Sequence, residues 1–432
     1  MFMLERFLFN QFRNFQKAIL PLAPLTLLLG AGASGKSHVV EGAKLLSWLA
    51  RGHRFEALPL AMHQPEGVAR GRVGDLPYSG ANRFGLACSG LAGATELQMG
   101  LMIECREEDE ARLVYEHLKE TGGKTPVALY QAGPGPGGAL TVEYHPFGAG
   151  APKPRLAGDE QRAVFVQLDG ASRFPAAHAE SGQRIPEATA CVGQWLTRIL
   201  CLEVDPVAAR GYAPRQAGAL TADGANLSGV LFQLCGGDRP EGEWSETQRT
   251  LRADLLDFVR VLPGLEQAAL GFVTTPRGEV LATLRESDAE SARRFDARQL
   301  STGTVRLLAL GAALLSCPEE SLLVVDDIEH TVYPAIARMV LETTLRIAER
   351  RALRVLFVGR DPALLDALPD RALPHAVLCH RDPRTGSSRL IRIQDMSEHP
   401  GRIAQGPAAH LMTPRLLERF ANIVQGGPLK LL

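Results

Sequence analysis

A glycine-rich loop, GAGASGKS (residues 30–37), joins a continuous apolar run to a helical segment. The run, Leu25 to Leu29, is typical of a strand that is buried on both faces of a parallel sheet. Glycines allow successive backbone N–H groups to point into one concavity, and the N-terminus of the following helix adds partial positive charge. Because GxxxxGK[ST] stands here between a strand and a helix, the sequence predicts a phosphate-binding loop on an α/β sheet.

The ligand expected in this loop is a nucleotide with magnesium. Lys36 would contact the β- and γ-phosphates, and the Ser37 hydroxyl would face the metal. A glycine turn without a ligand is the alternative interpretation, and the flanking strand and helix disfavour it. The residues predicted to bind the cofactor are Gly30, Ala31, Gly32, Ala33, Ser34, Gly35, Lys36, Ser37 and His38.

The composition is typical of a soluble globular protein. The chain has 432 residues, of which 45% are hydrophobic and 22% are charged, and its formal charge is −1. This near-neutral charge gives no support for a dedicated nucleic-acid binder. One basic run, RIAERRALR (346–354), is open to two interpretations, and a solvated helix face is favoured over contact with nucleic acid.

Cysteine usage and hydropathy indicate the compartment. The seven cysteines are scattered and form no CxxC pair, as expected for reduced thiols rather than disulfides or a zinc site. No apolar run approaches the length of a membrane span, and the start, MFMLERFLFNQF, lacks a signal-peptide core. We expect a cytoplasmic protein without membrane association.

Strands alternate with helices over much of the chain, which predicts a mostly parallel central sheet. We expect an N-terminal lobe (1–178) that holds the loop and an antiparallel β layer, a helical lid (179–267), and a C-terminal lobe (268–432). The predicted strands are 3–9, 15–20, 25–29, 84–90, 96–105, 111–118, 139–144, 164–168, 269–274, 279–284, 322–326, 355–359, 376–380 and 389–393. The predicted helices are 37–50, 186–202, 225–235, 246–260, 303–316, 335–350 and 413–424, and QAGPGPGG (131–138) is predicted to be a turn or loop.

The stretch LLVVDD (322–327) has the form of an apolar strand that ends in acid. In a nucleotide site such an end would supply a carboxylate, and Asp326 would hold magnesium. Because apolar strands that end in acid are common, this interpretation depends on the loop and on a third segment, LSTGTVRLLAL (300–310). There Ser301 has the position of an N-cap, and Gly303 permits close approach at the start of an apolar helix.

Together these segments resemble small bacterial predicted ATPases of the ABC class, in the branch shared with SMC and RecF-like heads and OLD-family ATPases. The resemblance implies a P-loop NTPase fold of the ABC type that binds ATP and Mg²⁺. It also implies a homodimer or higher homo-oligomer, in which Ser301 and Gly303 meet the γ-phosphate held by a second subunit. The matching segments are FNQFRNFQ…PLTLLLGAGASGKS, LTADGANLSGVLFQL (220–234), LSTGTVRLLAL, LLVVDDIEHTVYP (322–334) and VLFVGRDPALLDAL (355–368).

The acidic segment departs from the family pattern at the catalytic position. The family reads D-E-P-E-N-G-L-H-P, and this chain reads D-D-I-E-H-T-V-Y-P, so Asp327 replaces the usual glutamate base. Aspartate is one methylene shorter, and a displacement of about 1 Å can cost about a hundredfold in rate. The resemblance therefore implies slow hydrolysis, with Asp327 and Lys36 as catalytic residues. Glu329 is a candidate to compensate for the shorter acid, although its family counterpart is not the base.

Two other positions keep two interpretations each. Where the family has a switch histidine in T-H-S-P, this chain has Arg360 in G-R-D-P. Arginine keeps a positive charge near a γ-phosphate but cannot accept a proton, and an ordinary ion pair with Asp361 is the alternative. Arg13 and Asn14 have the position from which related heads touch the nucleotide, and a surface turn explains them equally well.

These features predict an ATP-gated dimer with slow hydrolysis that controls an effector protein, for example in phage defence. One alternative is a nucleotide-dependent scaffold or switch without hydrolysis. Another is an SMC-like DNA-binding ATPase, against which stand the near-neutral charge and the lack of a sustained heptad repeat.

Overall fold

The structure is a computed structural model that describes residues 2–64, 67–106, 109–123, 125–148, 152–237, 239–285 and 294–395. The helix predicted at 413–424 lies outside these residues. The described strands are β1 (Phe2–Phe12), β2 (Phe15–Pro21), β3 (Leu25–Leu29), β4 (Arg83–Ala92), β5 (Thr95–Cys105), β6 (Ala111–Glu120), β7 (Val127–Pro134), β8 (Leu140–Tyr144), β9 (Arg155–Ala157), β10 (Ile199–Leu202), β11 (Ala213–Pro214), β12 (Ala269–Thr274), β13 (Glu279–Arg285), β14 (Arg294–Asp296), β15 (Leu322–Val325), β16 (Arg354–Gly359), β17 (Val377–Arg381) and β18 (Ser388–Arg392). The described helices are α1 (Lys36–Ala50), α2 (Leu58–Met62), α3 (Val164–Gln167), α4 (Ala179–Thr197), α5 (Pro206–Ala209), α6 (Leu227–Leu234), α7 (Glu246–Asp257), α8 (Thr302–Ser316), α9 (Pro334–Arg350) and α10 (Ala363–Ala367).

A six-stranded sheet carries the glycine-rich loop. Its order is β10-β15-β16-β3-β17-β18, and the neighbouring strands are parallel except for β17 and β18. All five residues of β3 are buried, as expected for a strand that is covered on both faces. Because the carboxyl ends of parallel strands meet at one edge of a sheet, the residues that follow β3, β10, β15 and β16 lie close together.

An eight-stranded antiparallel sheet forms the layer that the sequence predicts beside this site. Its order is β2-β1-β4-β5-β6-β7-β8-β9. The hairpin β1–β2 turns at Arg13 and Asn14, and the Asn14 carbonyl accepts a hydrogen bond from the Ser388 N–H at the start of β18 (2.7 Å). This contact fixes the end of the hairpin against the parallel sheet.

A smaller sheet, β11-β13-β12 with β14 paired to β13, packs with α6, α7 and α8. A capping box begins α7: the side chains of Ser245 and Gln248 accept hydrogen bonds from each other's backbone N–H groups. Helix α4, in contrast, packs in the core that contains α1 and the antiparallel sheet. The division into two lobes and a lid stays a prediction.

The parallel sheet separates two hydrophobic cores. Alternate residues of its central strands belong to opposite cores, because successive side chains of a strand point to opposite faces. Leu28, Leu322, Val324, Leu356 and Val358 belong to the core shared with the antiparallel sheet. Leu25, Leu27, Leu29, Leu323, Val325, Val355 and Phe357 belong to the core shared with α6 to α9.

Two local predictions in the first half of the chain are wrong. VFVQL (164–168) is not a strand: residues 164–167 form α3, since the buried Glu116 carboxylate accepts hydrogen bonds from the Val164 and Phe165 N–H groups (2.8 and 2.7 Å). QAGPGPGG (131–138) is not entirely a turn. Its first half belongs to β7, which pairs with β8 up to Pro134, and the chain reverses only after that residue.

The helix predicted at 186–202 has the wrong bounds. Helix α4 begins at Ala179 and ends at Thr197, and Pro186 is accommodated inside it. The run ILCL that follows forms β10, which pairs in parallel with β15. Strand pairing in the sheet thus decides the structure of a short apolar run that helical spacing alone assigns to the helix.

Among the described helices, none is both long enough and apolar enough to cross a membrane. All seven cysteines are free thiols, as the sequence predicts.

Candidate nucleotide-binding site

The glycine-rich loop connects β3 to α1 as predicted. The Lys36 ammonium donates hydrogen bonds to the carbonyl oxygens of Gly30 (2.7 Å) and Ala31 (2.9 Å), so the side chain lies along the loop. A Cβ at Gly30 would lie 2.5 Å from Ser34 Oγ and would also collide with the Cys379 carbonyl. Glycine is therefore required at this position by close packing of the loop.

Three other elements support the loop from outside. The Ser34 carbonyl accepts hydrogen bonds from the Ser388 hydroxyl (2.5 Å), the Cys379 thiol (3.2 Å) and the Asn14 amide (3.5 Å). The Ser34 hydroxyl is buried and has no hydrogen-bond partner among the described residues. A buried unpaired hydroxyl in such a loop fits a phosphate oxygen, which would satisfy it.

The acid that follows β15 lies in the same cleft as the loop. Ser37 and Asp326 both line a cleft of about 500 Å³. Burial raises the pKa of the Asp326 carboxyl, a hydrogen bond from the Asp327 N–H (2.9 Å) opposes this shift, and the charge of Asp327 adds to it. A hydroxyl and a partly buried carboxylate are oxygen ligands of the type that Mg²⁺ prefers, so these residues fit the metal.

The same acids affect the lysine. Burial lowers the pKa of the Lys36 ammonium, and the nearby Cys379, Asp326, Glu329 and Asp327 oppose this shift. The cationic form is thus supported by the carboxylates that converge at this edge of the sheet. A lysine beside acids at the ends of parallel strands is an arrangement suited to a metal-bound polyphosphate.

The sequence analysis missed Glu203, which lines the same cleft. It follows β10, the neighbour of β15, and its carboxylate forms an ion pair with Lys44 (2.5 Å). The charge of Glu203 contributes to the raised pKa of Asp326. The signal in the sequence was the apolar run ILCL before an acid, the same form as LLVVD, and the predicted helix through Leu202 concealed it.

The two departures from the family pattern lie side by side. Asp327 has a left-handed φ of 46°, and its carboxylate is more than half exposed. The Arg360 guanidinium lies 3.9 Å from Asp327 Oδ1. An ion pair at this exposure adds little stability, so its interest lies in the position of the two groups at the edge of the cleft.

Glu329 contacts the backbone of the loop that follows β16. Its Oε1 accepts hydrogen bonds from the N–H groups of Arg360 and Asp361, the latter at 2.8 Å. This oxygen is therefore engaged by two donors. The role of Glu329 as a compensating catalytic carboxylate stays a prediction.

Ser301 is the N-cap of α8, as predicted. Its hydroxyl accepts a hydrogen bond from the Thr304 N–H (3.1 Å), and a Cβ at Gly303 would meet only Ser301 Oγ, at 3.9 Å. Arg210 fixes the preceding turn by donating to the Leu300 carbonyl (2.9 Å). Ser301 is exposed. Neither Ser301 nor Gly303 is among the described residues that line the cleft.

The turn of the β1–β2 hairpin contributes Asn14 rather than Arg13 to the loop. The Arg13 side chain is only 9% exposed, forms an ion pair with Glu41 (2.9 Å) and donates to the Asp75 carbonyl (3.0 Å). Its predicted contact with the nucleotide stays a prediction. The Asn14 Oδ1 accepts from His38 Nδ1 (2.6 Å), and burial lowers the His38 pKa to about 4, so that this ring is neutral at pH 7.

Residues 218–366 match the family described as "AAA domain, putative AbiEii toxin, Type IV TA system". No curated protein matches the chain at a significant level.

Three solved structures of SMC heads are distantly similar. An SMC head bound to the C-terminal winged-helix domain of ScpA has 12% identity and a TM-score of 0.47, over 90% of this chain and 97% of that one. The SMC head of Thermotoga maritima has 9% identity and a TM-score of 0.41, over 90% of this chain and 98% of that one. The third structure is an SMC head from Pyrococcus furiosus with an extended coiled coil, bound to the C-terminal domain of ScpA. It has 10% identity and a TM-score of 0.45, over 93% of this chain and 99% of that one.

The loop between β3 and α1, the strand order and the acid after β15 define the class of protein: a P-loop ATPase fold of the ABC type. Within that class, the segment from α6 to α10 resembles the AAA domain of the AbiEii description. The recognition made from the sequence motifs is confirmed at this level.

Proposed function

We propose that the chain binds ATP with Mg²⁺, hydrolyses it slowly, and works as an ATP-gated homodimer that controls an effector protein. The observation that carries this proposal is the cleft lined by both Ser37, at the end of the glycine-rich loop, and Asp326, directly after β15. These two strand ends come from opposite halves of the chain, and only the parallel sheet brings them together.

Each side chain has one task in the proposed reaction. Lys36 and the loop N–H groups would hold the β- and γ-phosphates, while Ser37 and Asp326 would hold Mg²⁺, which neutralises charge on the phosphates. Asp327 would orient the attacking water, and Arg360 beside it would offset negative charge that develops on the γ-phosphate. Phosphoryl transfer depends mainly on such positioning and charge, so a shortened acid still permits slow turnover.

The dimer is supported by the start of α8. Ser301, the N-cap, is exposed, and Gly303 has no side chain, so the first turn of α8 is open to an anion on another molecule. In the proposed dimer, Ser301 and Gly303 of one subunit meet the γ-phosphate held by the loop of the other. ATP would then act as the ligand that joins the two faces.

The effector is proposed from the motif resemblance and from the family description. The matched family is described by a putative toxin of a type IV toxin–antitoxin system, which supports a partner protein. Phage defence is proposed from the resemblance of the sequence motifs.

The direct test is ATP binding and hydrolysis by the full chain, with Lys36→Ala as the inactive variant. Lys17→Ala on β2, an exposed lysine away from the loop, is the matched control. We expect turnover well below one per second in the wild type and the control, and loss of turnover in Lys36→Ala. Turnover that is unaffected by Lys36→Ala would overturn the proposal.

A switch without hydrolysis is the second candidate, and the observation that favours it is the exposed Asp327 beside Arg360. Asp327→Glu restores the usual length of the acid. A rise in hydrolysis of about tenfold or more, as expected when a water-positioning group moves by about 1 Å, indicates an ATPase with a tuned-down rate. No rise in hydrolysis, together with unchanged ATP binding, favours the switch.

A further inference from the structure

Glu329 occupies a position for which the reaction proposed above provides no role. It lies in the turn after Asp327, yet its side chain reaches the loop that follows the neighbouring strand β16. We propose that Glu329 is a positioning residue, a carboxylate latch that fixes the backbone of Arg360 and Asp361 and thereby sets Arg360 beside Asp327. The catalytic part of this inference depends on the proposed ATPase function.

The contact has the geometry of a carboxylate held by a backbone nest. One oxygen, Oε1, accepts from two consecutive N–H groups, those of Arg360 and Asp361. Successive N–H groups that converge on one acceptor form an anion-binding concavity. Hydrogen bonds to a charged acceptor are stronger than neutral ones, so the ionised carboxylate holds the loop more tightly than an amide would.

The strand end is shaped to admit the carboxylate. A Cβ at Gly359 would lie 2.8 Å from Glu329 Oε1 and 3.0 Å from Ile328 Cγ2. Any residue other than glycine at the end of β16 would therefore push the carboxylate away from the two N–H groups. The absence of a side chain at Gly359 thus gives the Glu329 carboxylate the space to reach the two N–H groups.

The latch joins the two groups that the proposed mechanism places nearest the reacting phosphate. Asp327 and Glu329 belong to one turn, and Arg360 belongs to the loop that Glu329 holds. With the backbone of both segments tied together, the 3.9 Å separation of the Arg360 guanidinium and Asp327 Oδ1 becomes a property of the fold rather than of two free side chains. This separation would otherwise be maintained only by a weak exposed ion pair.

The second oxygen of Glu329 distinguishes positioning from proton transfer. Oε2 is buried and lacks a hydrogen-bond partner within the part of the chain that the structure describes. Buried without a donor, this oxygen is not presented to a water at the cleft, whereas Oε1 is already occupied by two donors. Both features argue for a structural task of the carboxylate and against its use as the base.

The test uses the full chain with Glu329→Ala and Glu329→Gln. The control is Glu342→Ala on α9, where an exposed glutamate pairs with Arg338 (3.0 Å). The first measurement is hydrogen exchange by mass spectrometry in nucleotide-free protein, on peptides that contain Arg360 and Asp361. We expect these amides to exchange faster in Glu329→Ala than in the wild type, with Glu329→Gln intermediate and the control unchanged.

The second measurement is steady-state hydrolysis. We expect Glu329→Ala to lower kcat by roughly tenfold to a hundredfold, the scale for displacement of a catalytic group, with little change in KM and partial recovery in Glu329→Gln. A base would behave differently: both variants would lose activity to the same extent, because glutamine cannot accept the proton.

The outcomes separate the latch from the proposed function. If wild-type protein does not hydrolyse ATP, the function fails, and the exchange experiment in nucleotide-free protein still decides the contact. Equal exchange at Arg360 and Asp361 in wild type and in folded Glu329→Ala overturns the latch. So does equal loss of kcat in both variants, or an activity of Glu329→Ala that matches the control.

Discussion

Asp326 and Asp327 are adjacent carboxylates whose environments differ. Asp326 is partly buried at the strand end and accepts the N–H of its neighbour, whereas Asp327 turns outward with a left-handed backbone. The sequence predicts two acids at the end of a strand, and their opposite directions follow only from the turn after β15. The left-handed backbone of Asp327 (φ 46°, ψ 53°) thus separates the environments of two adjacent acids, for which we propose different tasks.

A pH effect is expected from Glu116, far from this cleft. Burial raises the pKa of its carboxyl to about 7, although the Tyr130 hydroxyl (2.6 Å) and two backbone N–H groups oppose the shift. The folded pKa lies above the unfolded one, so the stabilisation due to Glu116 is complete below pH 4.5 and is lost as the pH rises through 7. Between these limits we expect its contribution to the free energy of unfolding to fall by about a few kcal/mol. This is the size that the linkage between a raised pKa and stability gives.

Urea unfolding at pH 5 and pH 8 measures this effect. The difference in unfolding free energy between the two pH values should be smaller in Glu116→Gln than in the wild type. Glu187→Gln on the exposed side of α4 is the control and should retain the wild-type difference. A Glu116→Gln protein with the full wild-type pH dependence would show that this carboxyl does not titrate abnormally.

Residue roles in the hairpin turn could not be assigned from the sequence. Arg13 and Asn14 are neighbours in a polar turn, and both are suitable for contact with phosphate. The structure assigns Asn14 to the support of the loop because Glu41, on α1, neutralises Arg13 in a nearly buried ion pair. That pairing depends on long-range packing of the hairpin against α1, which no local pattern records.

At the level of elements, the strand–loop–helix unit β3–α1 depends on close packing at one glycine more than at another. A Cβ at Gly30 would meet Ser34 Oγ at 2.5 Å, whereas a Cβ at Gly32 would meet nothing within 4 Å. We expect Gly30→Ala to lower the melting temperature and to weaken ATP binding, since overpacking typically costs about 1–3 kcal/mol. Thermal unfolding should leave Gly32→Ala close to the wild type, and equal melting of the two variants would contradict the packing argument.

Element prediction from the sequence was accurate where burial and periodicity agree. The central strands β3, β15 and β16 and helices α1, α8 and α9 have long or fully apolar patterns, and they lie where predicted. The short elements failed: α3 depends on the buried carboxylate of Glu116, and β10 depends on pairing with β15. In both cases a partner more than 40 positions away in the chain decides the local structure, consistent with the dominance of tertiary context over local preference.

At the level of the whole molecule, the proposed dimer makes a prediction about mass. ATP should raise the mass measured by light scattering to that of two chains, and Ser301→Arg should prevent this because a bulky side chain blocks the helix end. Ser301→Ala is the matched control, since it loses the same N-cap, at a cost of about 1 kcal/mol, without added bulk. A single-chain mass in saturating ATP, with hydrolysis unaffected by Ser301→Arg, would exclude the face-to-face arrangement.

The parallel sheet packs against a hydrophobic core on each of its faces, and this has a practical consequence for dividing the chain. Strands β3, β15 and β16 come from distant parts of the sequence, yet each contributes alternate side chains to both compartments. A fragment that ended before β15 would leave β3 with an apolar flank open to water, and such surfaces promote aggregation. We expect the two fragments of a chain split before β15 to be insoluble when they are produced separately. Co-expression would be needed to reassemble the parallel sheet.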